Sequence, residues 1–200
     1  MPNPEFFRSA GLFLKEDFLS PEQCDAIREE MTASQQSDAV LARQGVADLV
    51  VDPYVRKTRL AKVSKDTKHK IHDALAGLLP TLSAHFNLTL TGIQPTDYLV
   101  YREGDFFARH LDVSKSKDRV ETKRKLSIVV FLNDQSEAPG ENVFGGGSLV
   151  FYGLMPPPFE ILGHPFIGKR GCLVAFRPDV LHEVKPVTHG TRFTVVSWCE

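Results

Sequence analysis

The chain has 200 residues, 42 % of them hydrophobic and 14 of them Phe, enough apolar material for one sizeable core, so a single domain over 1–200 is expected. Lys and Arg total 24 against 25 Asp and Glu, a formal net charge of −1, which gives no overall attraction to polyanions and sets aside nucleic acid and membrane as expected partners. Cys24, Cys172 and Cys199 are odd in number and far apart. They suit free thiols in a reducing cytoplasm better than a disulfide framework, and neither a signal-like start nor a long apolar span argues for secretion or membrane insertion.

In chain order, the first regular signal is the apolar run GLFL at 11–14, which reads as a strand. Ser20, Pro21 and Gln23 then supply an N-cap, a first-turn proline and the return arm of a capping box, predicting a helix over about 21–33. Cys24, Ile27 and Met31 recur at helical spacing and form its expected buried stripe. Residues 34–56 carry no clear period, and TRLAKV at 58–63 reads as a strand. Between 65 and 86, Ile71, Leu75, Leu78, Leu79, Leu82 and Phe86 share one helical face, and Pro80 predicts a kink or a division into two helices. Residues 1–93 are therefore expected to be a helical support with an early strand.

From about 94 the texture changes to short β-type runs separated by turns: TDYLVY, FARHLDV, KLSIVVFL, GSLVFY, GCLVAF and TRFTVVSW. This predicts a mainly β fold whose core, about 94–200, is a double-stranded β-helix, or jelly-roll, flanked by the N-terminal helices. Glycines 145–147 read as a strand start, since no Lys-Ser/Thr pair follows to make a phosphate loop. The polar stretch 113–125 reads as a long exposed loop. Its basic residues Lys115, Lys117, Arg119, Lys123, Arg124 and Lys125 read first as a solvated surface and second as a grip on an acidic substrate.

His110-Leu111-Asp112 places two metal-binding side chains at i and i+2, which on a strand share one face. Alone, such a pair is weak evidence. Downstream, His182 follows the strand GCLVAF and the turn-forming Arg177-Pro178-Asp179. Two His and one carboxylate can occupy one face of an octahedral ion and leave three positions open, an arrangement suited to iron(II) and O₂ chemistry. Arg192 stands ten residues on, in a strand whose members Arg192, Thr194, Val196 and Trp198 share a face. A charged Arg inside a β-barrel needs a partner, and the carboxylate of a co-substrate can supply one. Of the other histidines, His69 and His72 read as a solvated helix face, His85 and His164 lack a carboxylate partner, and His189 reads as a turn residue.

In the order and spacing of His110, Asp112, His182 and Arg192, and in the strand context from Tyr98 to Trp198, the sequence resembles the Fe(II)/2-oxoglutarate-dependent dioxygenases, in particular their prolyl-4-hydroxylase-like branch. The resemblance implies an oxidoreductase that binds Fe(II) through His110, Asp112 and His182 and takes 2-oxoglutarate and O₂ as co-substrates, with ascorbate as a further cofactor. It implies that 2-oxoglutarate is held by Arg192 and by Tyr101, with Thr194 helping. Phe131 stands where several relatives carry a second co-substrate Tyr, so one hydroxyl donor is missing there. Asp112 in the ligand set favours hydroxylation over halogenation.

The implied substrate is a prolyl residue in a protein or peptide; a free amino acid or small metabolite is the alternative within the same chemistry. A nucleic-acid demethylase fits less well, because no second Arg follows Arg192 on its strand. From another class, a non-catalytic metal- or ligand-binding β-barrel protein would leave Arg192 unexplained, and three protein ligands are one short of a closed structural zinc site. Fold and motif do not choose the substrate, and the oligomeric state is left open.

Overall fold

The computed structural model describes residues 4–39, 41–42, 49–50, 52–113 and 120–200. A short helix not anticipated from sequence, α1 (Pro4–Ser9), leads into β1 (Phe13–Lys15) and then α2 (Pro21–Ala33). Both arms of the α2 capping box are made: the Gln23 N–H donates to Ser20 Oγ at 3.3 Å and the Ser20 N–H donates to Gln23 Oε1 at 2.8 Å. Four two-residue strands follow, β2 (Ser37–Asp38), β3 (Leu41–Ala42), β4 (Leu49–Val50) and β5 (Arg56–Lys57), of which β3 and β4 pair with each other. The expected strand at 58–63 is only β6 (Arg59–Leu60). As expected, 65–86 divides into α3 (Lys65–Ala76) and α4 (Leu79–Phe86), with Pro80 in the first turn of α4, where its missing N–H costs nothing. Glu30 of α2 accepts from the Ser64 N–H at 2.7 Å and from Thr67 Oγ1 at 2.6 Å, tying the start of α3 to α2.

The β-rich part runs β7 (Asp97–Tyr101), β8 (Phe106–His110), β9 (Leu126–Phe131), β10 (Asp134–Gln135), β11 (Val143–Gly146), β12 (Leu149–Phe151), β13 (His164–Phe166), β14 (Leu173–Phe176), β15 (His182–Val184), β16 (Val187–Gly190) and β17 (Arg192–Cys199). Among the described residues, the larger sheet has the order β1-β14-β9-β17-β7-β6-β2, and the smaller one β13-β12-β15-β8-β5. These are the two layers of a jelly-roll, with β10-β11-β16 at one end. The N-terminal part supplies edge strands to both layers as well as helices.

Period-2 alternation assigns the two faces of the larger sheet. Tyr98, Val100, Ile128, Val130 and Val195 point outward and pack under Cys24, Ile27, Met31, Ile71, Leu75 and Leu82 of the helices. Leu99, Tyr101, Val129, Phe131 and Val174 point inward and meet Phe151 and Val184 of the smaller sheet. Each fully buried Leu, Ile or Phe contributes on the order of 1.5–3 kcal/mol, so the helices and the smaller sheet hold opposite faces of one rigid platform.

Three expectations are corrected. His189 is not a turn residue: it lies within β16, opposite Gly145, and the strand runs on through Gly190, whose φ is +70°, before the chain passes into β17. The glycines close β11 instead of opening β12. Gly145 lacks a Cβ because the His189 ring occupies that space, with the nearest ring atom 2.0 Å from where a Cβ would stand. The segment 113–125 is not a uniformly solvated loop: Val120–Lys123 form a 3₁₀ turn and the Arg124 guanidinium lies 3.6 Å over the Trp198 ring. Lys115, Lys117 and Arg119 lie outside the described residues. Among the described residues, no helix is long and apolar enough to cross a membrane.

Candidate metal centre

His110 ends β8, and Asp112 lies just beyond it. The pair is therefore not on a continuous strand as expected. The β8–β15 register places His110 opposite His182 and shifts between His182 and Val184, and the Asp112 N–H leaves the ladder to donate to Pro178 O at 2.9 Å. This turn swings the Asp112 side chain beneath both imidazoles, while Leu111 between them is turned out to solvent. His110, Asp112 and His182 each offer one donor atom, all within 4.8 Å of one another. His110 Nε2 is 3.5 Å from Asp112 Oδ1, and His182 Nε2 is 3.7 Å from Asp112 Oδ2.

The imidazoles are oriented by the backbone. Nδ1 of His110 lies 2.8 Å from Ala108 O and Nδ1 of His182 lies 2.8 Å from Val180 O. A carbonyl can only accept, so each Nδ1 carries the proton and each Nε2 presents its lone pair toward the cluster. His182 is 4 % exposed. Burial and the neighbouring His110 hold its pKa down at about 4 against the pull of Asp112, so it is neutral at physiological pH, as a metal ligand must be. Burial alone would raise the Asp112 carboxyl, but His182, His110 and the Ser127 hydroxyl hold it well below the ordinary carboxylate range. One carboxylate and two imidazoles whose Nε2 atoms face it make a donor set that fits Fe(II).

Side chains not anticipated from sequence complete the surroundings. Ser127 Oγ donates to Asp112 Oδ2 at 2.6 Å and Trp198 Nε1 donates to the same oxygen at 3.0 Å. Arg124 Nη1 donates to Asp112 O at 3.1 Å. Phe107 stacks on His110 with ring centroids 3.6 Å apart, and the Arg56 guanidinium lies 4.7 Å over the far face of Phe107. The only signal for Trp198 was its shared face with Arg192; Ser127 stood unmarked among apolar neighbours, since a single hydroxyl in a strand has no periodic signature.

Arg192 and Thr194 lie deeper on that same face of β17. Arg192 is 1 % exposed, pairs across the sheet with Tyr101, and its guanidinium carbon is 4.9, 5.1 and 6.0 Å from the ring centres of Tyr101, Phe131 and Phe144. Nη1 donates to Thr194 Oγ1 at 3.3 Å, while the buried Nε finds no partner. Burial lowers its pKa to about 10, opposed by the Tyr101 phenol, so the group stays cationic at neutral pH. A buried cation with an unused N–H and no carboxylate partner among the described residues fits an incoming carboxylate. The expected grouping of Arg192, Tyr101 and Thr194 is thus present in space. His69 and His72 are exposed on α3, away from this cluster.

Residues 96–200 match the family model of the 2OG-Fe(II) oxygenase superfamily. No curated protein matches the sequence. Among solved structures, a prolyl-4-hydroxylase from Pseudomonas putida is similar over 98 % of this chain and 95 % of its own, with a TM-score of 0.72 and 21 % identity. A Trichoplax adhaerens prolyl hydroxylase, solved with a hypoxia inducible factor oxygen degradation domain peptide, covers 98 % and 86 % with a TM-score of 0.69 and 19 % identity. A viral collagen prolyl hydroxylase from Paramecium Bursaria Chlorella virus-1, in its 2OG complex, covers 94 % of each chain with a TM-score of 0.55 and 16 % identity. The solved structures establish the jelly-roll fold, and the family match spans the strands that carry both the His-Asp-His cluster and Arg192: this chain belongs to the 2OG-Fe(II) oxygenase superfamily.

Proposed function

We propose that this oxygenase hydroxylates a C–H bond of a prolyl residue in a protein or peptide, holding Fe(II) with His110, Asp112 and His182 and 2-oxoglutarate with Arg192, Tyr101 and Thr194. The observation that carries the assignment is the buried Arg192 guanidinium with its unused Nε, on the same strand face as the Trp198 that bonds Asp112. The prolyl reading draws support from the fold shared with three prolyl hydroxylases. Residues 1–200 act as one unit in this reading, since Arg56 before the jelly-roll segment packs on Phe107 beside His110. Three buried free thiols support a cytosolic location.

When bound, iron with 2-oxoglutarate and O₂ supplies the oxidant, releasing succinate and CO₂ and delivering one oxygen atom to the substrate C–H bond. The chain's own contribution is placement. Ala108 O and Val180 O fix both imidazole tautomers, and Ser127 and Trp198 fix the rotation of the Asp112 carboxylate. Arg192 neutralises the far carboxylate of the co-substrate, and Phe131 and Phe144 keep water from that pair. Phe131 in place of a Tyr leaves Arg192 as the principal anchor.

The test is anaerobic addition of Fe(II) and 2-oxoglutarate, followed by succinate release with prolyl peptide, amino-acid and metabolite pools in the presence of ascorbate. A weak visible absorption band from keto-acid chelation and a +16 product from the peptide pool are expected. The band and turnover disappear in His110→Ala, Asp112→Ala and His182→Ala. Turnover near the wild-type rate in His182→Ala would remove this ligand assignment, and a +16 product confined to the metabolite pool would remove the prolyl reading.

A further inference from the structure

Asp97 opens β7 opposite Val196, on the inward face that Leu99, Tyr101, Val196 and Trp198 share. It stands four residues from Tyr101, about 13 Å along the strand from the level of Arg192 at roughly 3.3 Å per residue. Its electrostatic neighbours are Arg56 and Arg124. Each of these reaches the metal cluster: Arg56 covers the Phe107 ring that stacks on His110, and Arg124 covers Trp198 and bonds Asp112 O. Asp97 therefore shares the barrel interior with the metal cluster, at a level along the sheet between Arg192 and the Trp198 that bonds Asp112.

Among the described residues the Asp97 carboxylate makes no hydrogen bond or close ion pair. Asp97 is half-buried, and this partial burial raises its pKa despite the two arginines. Packing alone would be served better by an apolar side chain such as Leu99, two residues on. The arginines to either side repel an isolated cation, so the matching ligand carries a donor and an acceptor a few bonds apart. An aminoacyl unit has this pattern, as the N–H of the residue following a prolyl C=O in a peptide, the prolyl nitrogen itself carrying no hydrogen, or as ammonium beside carboxylate in a free amino acid.

We propose that Asp97 is a specificity residue of this site, accepting a hydrogen bond from the N–H or ammonium of an aminoacyl substrate whose carbonyl or carboxylate turns toward Arg124. The inference rests on the placement of iron and co-substrate given above and adds the polar feature by which the substrate is read. It assigns Asp97 no part in holding either.

The test is calorimetric titration of the full chain, loaded anaerobically with Fe(II) and 2-oxoglutarate, with two probes: L-proline and N-acetylglycyl-L-prolyl-glycinamide, whose blocked ends leave amide N–H groups and no ammonium. At least one probe binds the wild-type protein, and Asp97→Leu raises its Kd at least tenfold while the Kd of 2-oxoglutarate is unchanged. Asp97→Asn, which keeps an acceptor without the charge, separates the two sources. It retains the peptide probe within about threefold if an amide N–H is read, and loses L-proline about tenfold or more if an ammonium is read. Binding of neither probe, or equal affinity of wild type and Asp97→Leu, overturns the proposal. Failure of wild type to bind 2-oxoglutarate in the same cell would strike the underlying site reading and the inference with it.

Discussion

Replacing Arg192 by Met has two opposite consequences that can be read in one experiment. Without a co-substrate, the guanidinium is a cation 1 % exposed, satisfied by a Thr194 hydroxyl at 3.3 Å and three aromatic rings, with Nε unpaired. Exchanging a buried charge for an apolar side chain of similar length stabilises by about 1–4 kcal/mol. For a domain of this size each kcal/mol moves Tm by about 2–4 °C, so the variant melts several degrees higher in the absence of ligand. With 2-oxoglutarate present the order reverses. Loss of a charge-assisted pair in a desolvated site costs about 2–5 kcal/mol, which weakens 2-oxoglutarate about 30-fold to several thousand-fold. At a ligand concentration of about 100 times the wild-type Kd, the native protein gains about 2.7 kcal/mol and the variant loses most of that gain. Thermal scans with and without 2-oxoglutarate, both with the same divalent metal, measure the two effects. A variant that melts lower than wild type without ligand, or that keeps the full ligand-induced shift, would refute the reasoning.

The remaining predictions concern the metal ligands. His182 titrates at about 4 when folded against 6.5 for its unperturbed value, so between these pH values the unfolded chain binds more protons and stability falls as pH is lowered. The loss amounts to about 3 kcal/mol across that window and is absent above it; urea denaturation of the metal-free protein at pH 7, 6 and 5 shows it, and a flat profile contradicts it. Asp112, whose pKa is lowered, adds a further loss only below the ordinary carboxylate range. Ser127→Ala and Trp198→Phe each remove one donor to Asp112 Oδ2 and should each weaken Fe(II) binding about 10- to 100-fold with little change in 2-oxoglutarate affinity at saturating metal. Competition with a chelator provides the measurement; unchanged iron affinity in both variants would show that Asp112 is oriented by its backbone alone.

Much of this protein is written in local pattern. Ser20, Pro21 and Gln23 mark the start of α2, and Pro80 marks the break between α3 and α4, because capping and the missing proline N–H act within one turn. The alternation along β7, β9 and β17 assigns each side chain to the helices or the barrel interior before any partner strand is known. Donor identity is equally local: a strand ending in His110 with Asp112 two positions on, a His after a turn, and an Arg on a strand face with Trp198. Periodicity determines the face a side chain occupies, but not its neighbour across the sheet. The antiparallel β8–β15 register sets His110 against His182, and the departure of the Asp112 N–H to Pro178 O carries the carboxylate off the strand and under both rings. Likewise Ser127 and Trp198 meet Asp112, and Asp97 comes within the electrostatic reach of Arg56 and Arg124, only because distant strands close into a barrel. Composition and period thus determined which residues look inward, whereas the pairing of strands far apart in sequence decided which of them touch, since that contact depends on register and loop path rather than on any short-range preference.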